Sequence, residues 1–326
     1  MGSRAPTADG SRSRVRLNMT TAGAEHRSSV DRTRGKGPFE GMPFGCDGSA
    51  PARAGRRAAR RDARAIPHSE PPTPTLYAPE GEHALHELLR NGEHTAQNLD
   101  ALAEAHPDYR LPIMMIAAAV RFAEGDFGEV TRRQLRMLFD HSADPATHPF
   151  FATHLSDTSH VLVPVASGMS VPMPFSRDAV GLMLAEVHRA EGRLDLAIEA
   201  VERVTPRLHA TVCLAELYVA AGRNGDAIRL TNGVDNDDDM SALLLTYRAI
   251  AFACIGFFEA ARAVFNKALA RRDRAPQIRH LALRYRAELH AASGRYAHAR
   301  RDLERILDED PSADGVDERL AELRTH

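Results

Sequence analysis

The chain predicts an all-α fold: a right-handed superhelix of antiparallel helix pairs, with a short apolar β-hairpin-like insert and a disordered N-terminal tail. Three observations predict it. First, four stretches share one pattern: LAEVHRAEGRLDLA (184–197), LAELYVAAGRNGDA (214–227), RAIAFACIGFFEAA (248–261) and RAELHAASGRYAHA (286–299). Fixed-offset self-similarity with a period of roughly 34 residues marks stacked helix pairs. Second, the pattern is broken once, over 141–178, by a segment of extended character. Third, the segment 1–75 has almost no apolar periodicity, so it lacks what a packed core needs.

The tail is assigned to 1–78. Residues 1–70 hold 14 Arg/Lys against 7 Asp/Glu, a net of +7, while the remainder hold 28 against 37, a net of −9. The run ARAGRRAARRDARA (52–65) offers a contact for nucleic acid or an anionic surface, or else a solvated linker. Two degenerate helix pairs are expected in 79–140. One is centred on Gly92, with Leu85 and Gln97 at the two alanine positions. The other is centred on Gly125, with Ala118 seven before it, Phe127 two after it and Val130 at the second alanine position.

The insert, 141–178, holds His141, His148, His154 and His160, followed by VLVPVASGMSVPMPF around Ser167-Gly168. Alternating apolar residues about a Ser-Gly turn predict a hairpin. Pro164, Pro172 and Pro174 lack a ladder donor, so a ragged ribbon is expected. Two roles are open to it: a plug that buries Val161, Val163, Val171 and Phe175, or a lid over a groove. Histidine spacings of seven, six and six residues do not make a zinc set. DNDDD (235–239) is followed by Met240 where a calcium loop needs glycine, and reads as a cap for the next helix.

Residues 179–326 hold the four clear units. Their glycines, Gly192, Gly222, Gly256 and Gly294, follow one another at unequal steps, so the connecting loops vary in length. Each is preceded by alanine at seven residues (Ala185, Ala215, Ala249, Ala287) and followed by alanine at five (Ala197, Ala227, Ala261, Ala299). Small residues let helix axes approach, and glycine supplies the turn between them. A ring stands four residues before each glycine: His188, Tyr218, Phe252 and His290. Cys213 and Cys254 fall on the first helices of their units and read as small core residues.

On these residues the chain resembles the tetratricopeptide repeat family over about 179–311, with Pro311 ending the last unit, where that family favours proline. The family's tryptophan is absent. The resemblance implies that the first helix of each pair lines a concave groove. It makes Glu186, Glu216, Ile250 and Glu288, each six residues before its glycine, the candidate groove residues, with Arg189 and Arg284 as the basic ones. Three glutamates on one face would favour a basic or mixed-charge ligand; solvated helix formers with no ligand are the alternative.

The expected function is non-enzymatic protein or peptide binding by a scaffold or adaptor. The alternative is a transcriptional or signalling regulator whose basic tail contacts nucleic acid. A hydrolase or metal enzyme built on the histidine-rich insert is a third reading, but no HExxH, GxSxG, CxxC or phosphate loop is present, so no catalytic residue, metal or cofactor is assigned. No apolar run is long enough to span a membrane, and the start lacks a hydrophobic signal core. With 42 Lys+Arg of which only Lys36 and Lys267 are lysine, a coding bias points to a bacterial cytoplasmic protein.

Overall fold

The computed structural model describes residues 73–141, 144, 147–155, 160–166 and 169–324. Residues 1–72 of the expected tail, its run 52–65 included, and the Ser167-Gly168 turn lie outside the described residues.

The described residues form an α-solenoid of helix pairs with one short hairpin. Two pairs come first: α1 (Glu80–Arg90) with α2 (Ala96–Ala105), then α3 (Arg110–Glu124) with α4 (Glu129–Asp140). The insert follows as α5 (Pro149–His154), β1 (His160–Ala166) and β2 (Met169–Pro174). Four more pairs come next: α6 (Arg177–Ala190) with α7 (Leu194–Glu202), α8 (Leu208–Ala220) with α9 (Asn224–Leu230), α10 (Asp239–Cys254) with α11 (Phe258–Ala268), and α12 (Pro276–Ala292) with α13 (Tyr296–Glu309). A single helix, α14 (Val316–Leu323), closes the described array. It was not foreseen from the repeat pattern, because it has no partner helix.

The turn inside each pair has a common local cause. Gly192 has φ +76°, a conformation that an L side chain resists. Its N–H donates to the Arg189 carbonyl at 3.0 Å, and the Arg193 N–H donates to the His188 carbonyl at 2.9 Å. That pair of bonds is a Schellman cap, and it satisfies carbonyls the helix end would leave orphaned. The same two bonds recur at the other pair turns. In the four clear units the residue four before the glycine thus supplies a capping carbonyl as well as a ring.

The alanines form the seam. Ala185, Ala197, Ala215, Ala227, Ala249, Ala261, Ala287 and Ala299 are all at most 1% exposed. The second pair departs from expectation. Val130 is exposed and Thr131 is fully buried in its place, because α4 starts four residues after its glycine where α7 starts two after. The longer turn rotates the helix, so the seam falls on the next residue. At Gly181 neighbouring side chains press against the helix backbone: a Cβ there would lie 2.6 Å from both Phe139 and Val204 side chains. Phe139 cannot give way easily, since the guanidiniums of Arg177 and Arg203 each sit 4.5 Å from its ring centroid.

The loop 235–239 is a cap, as expected. Asp238 accepts the Ser241 N–H at 2.7 Å while Ser241 Oγ accepts the Asp238 N–H at 2.8 Å, a reciprocal capping box on α10. Asp235 pairs with Lys267 at 2.6 Å, and Asp239 accepts the Ala275 N–H.

The insert is more regular than the prolines suggested. β1 pairs antiparallel with β2 in the register His160–Pro174, Leu162–Pro172 and Pro164–Ser170, with an irregularity at Val165. All three prolines fall in pairs of the same parity. In an antiparallel ladder alternate pairs exchange no backbone bonds, so prolines confined to that parity cost no donor. They also blunt both free edges of the ribbon. Val161, Val163 and Val165 are at most 1% exposed, and β1 packs on α6 and α8. Phe175 stacks on Phe151 at 5.4 Å, tying the hairpin to α5. The short helix α5 was also missed from sequence. His154 holds it to α1 through Glu82 at 2.8 Å, and Glu82 also accepts the Tyr109 hydroxyl at 3.1 Å.

Candidate functional site

The candidate residues sit on first helices, at positions set by the seam. The residue after a seam alanine is turned about 100° from it, away from the second helix. Residues three before and seven before that position share its face. On α8 this face shows Cys213 and Glu216, on α10 Leu243, Tyr247 and Ile250, and on α12 Leu281, Tyr285 and Glu288.

On α6 and α8 the face is already covered. The hairpin end, Pro164 to Ala166, closes over Glu186, Arg189, Cys213 and Glu216, and leaves a space of about 10 Å³. That is room for roughly one water and for no peptide. Arg189 donates to both Glu186 oxygens at 2.6 Å. Burial alone would lower the Arg189 pKa, but the bonds and charge of Glu186, with the Glu216 charge, outweigh it and hold the guanidinium above its ordinary value. Burial pushes the Cys213 thiol up, and the carboxylates of Glu216 and Glu186 push it further. The thiol is partly buried and is held in its protonated form.

Tyr285 on α12 is pushed up to about 12, first by burial and then by the negative charge of Glu216 on α8. Between them Tyr247 is 3% and Ile250 1% exposed.

The six sequence candidates therefore separate. Glu186, Arg189 and Glu216 come together beneath the hairpin. Ile250 is buried on α10. Arg284 is exposed at the rim and donates to the Asp314 carbonyl at 2.8 Å. Glu288 is 4% exposed and held by Arg319 of α14 through two bonds of 2.8 and 2.6 Å. Two of the three glutamates are thus neutralised by arginine, so the inner face is less acidic than their recurrence implied. Tyr247 and Tyr285 were missed. The available signal was their position nine residues before Gly256 and Gly294, one turn before the glutamate position on the same face.

The insert histidines do not assemble. His148 caps α5 by accepting the Phe150 N–H, His154 pairs with Glu82, and His160 lies in β1. Among the described residues no three metal-ligating side chains come together, and no helix is long and apolar enough to cross a membrane.

No family model matches the chain, and no curated protein matches it. Among solved structures it is similar to TTC0263, a thermophilic TPR protein of Thermus thermophilus, at 18% identity and a TM-score of 0.41, over 65% of this chain and 98% of that one.

Proposed function

We propose that this chain is a non-enzymatic scaffold of the bacterial cytoplasm that binds a protein or peptide along its array of first helices, beyond the part that the hairpin covers. One observation supports the reading most: the four clear units stack as helix pairs with buried seam alanines, the repeat arrangement that presents its first helices as an extended binding surface. Apolar and aromatic side chains give a peptide its anchors, and tyrosine faces also attract cations. The favoured ligand is a segment of mixed charge with an apolar anchor. The hairpin bounds the site at α8. The regulator reading depends on 52–65, which lie outside the described residues.

The test is affinity capture with the full chain as bait, comparing wild type with Arg284→Ala and Tyr285→Ala. Each substitution should reduce the captured partner at least tenfold. Equal capture by all three would sink the reading.

A further inference from the structure

We propose that this chain pairs with a second copy of itself through the α10–α11 turn, the Phe257 ring of each copy entering the pocket beside that turn on the other.

The turn departs from its siblings. In the other three clear units arginine follows the glycine: Arg193, Arg223 and Arg295. Each arginine folds back onto the array. Arg193 lies 3.4 Å from Glu191, Arg223 sits 4.5 Å from the Tyr218 ring centroid and 2.7 Å from Asp226, and Arg295 lies 3.4 Å from Glu259. Here the turn reads Ile255-Gly256-Phe257-Phe258, with Phe257 in the arginine's place. Phe257 is 60% and Ile255 44% exposed. The two capping bonds of this turn run between backbone groups, as in the turns that carry arginine. Capping therefore gives no reason for an aromatic side chain held in water.

A hole lies beside the knob. An open pocket of about 530 Å³ lies between this turn and the α12–α13 turn, lined by Gly256, Phe257 and Ala260 on one side and Ser293 and Arg295 on the other. An exposed ring next to a pocket on one surface is self-complementary, because a twofold axis at the turn sets each ring in the other copy's pocket. Burying the ring removes its apolar surface from water.

Charge fits the same pairing. The rim carries Glu259 and Arg295, with side chains 70% and 39% exposed, and their contact within the chain is a long one at 3.4 Å. Arg262 holds Glu259 from within α11 and so presents it at a fixed place. Across the twofold each Arg295 meets the Glu259 of the other copy. A partner of a single sign would leave one of the two facing its like. The contact is small, below about 1,200 Å² in total, so the dimer is reversible and depends on concentration.

Sedimentation equilibrium of the full chain tests the pairing. Wild type is expected to dimerise reversibly in the micromolar range. Phe257→Arg installs the residue that three sibling turns carry with their caps intact, and should weaken association roughly tenfold or more. Glu259→Arg and Arg295→Glu should each weaken it alone, and a mixture of these two chains should pair again, since both rim contacts then join opposite charges. A wild type that stays monomeric up to about 0.1 mM overturns the proposal. So does association unchanged by Phe257→Arg, or a mixture no tighter than either charge variant by itself. Phe257, Glu259 and Arg295 follow the glycines and lie outside the first helices, so failure here leaves the peptide-binding reading standing.

Discussion

Truncating Val163 decides whether the hairpin is a wall or a lid. Val163 is fully buried on the inner face of β1, between Val161 and Val165, and β1 lies on α6 and α8. Burying one valine side chain is worth about 1.5–3 kcal/mol, so the three together hold the strand by roughly 5–9 kcal/mol. A strand held that firmly opens on the order of once in 10³ to 10⁶ molecules, which rules out a lid that parts for each ligand. Val163→Ala removes about two methylene equivalents, roughly 1.6 kcal/mol of transfer energy, and leaves a cavity that raises the cost to roughly 2 kcal/mol. Equilibrium urea unfolding followed by far-ultraviolet circular dichroism measures it. A wall shares the global unfolding transition, so the midpoint should fall with the slope unchanged. A midpoint within error of wild type would mean the hairpin detaches before the array unfolds, and the wall reasoning would be wrong.

Arg319→Ala should cost roughly 2–3 kcal/mol, below the full range for a broken buried pair because Arg319 keeps part of its side chain in water. The double change Glu288→Gln/Arg319→Met should recover most of that loss in the same urea assay, and no recovery would locate the cost outside the pair. Stability should also fall on acidification. Burial lowers the pKa values of His188, His209 and His290 in the folded chain, so the unfolded chain binds more protons as the pH drops. The stabilisation is present above the unfolded value of about 6.5, is lost as pH falls through it, and levels off below the folded values. Unfolding midpoints at pH 7.5 and 5.0 test the sign, and a higher midpoint at pH 5.0 would contradict it.

The legible part of the fold was the part encoded over short spans. A glycine that must turn left-handed and an alanine that must let two helices touch are visible because their partners lie within a few residues. The seam alanines of the four clear units are accordingly all buried. Legibility weakened where one loop changed length: two extra residues before α4 moved the seam from Val130 to Thr131. Within the candidate site the face was legible and its occupancy was not. The offset that singled out Glu186, Glu216 and Glu288 carries no information on what comes back to meet them.

The sequence by itself determined the helix pairs, their turns and the face that each first helix turns inward, because helical periodicity and small-residue spacing act locally. Only the tertiary structure decided what covers that face. The hairpin closes over Glu186 and Glu216, while Arg319, far along the chain from Glu288, neutralises it from a helix with no repeat signature. Contacts of that range depend on where distant segments come to rest. A charge along the chain becomes a binding charge or a buried ion pair only once its neighbours in space are set.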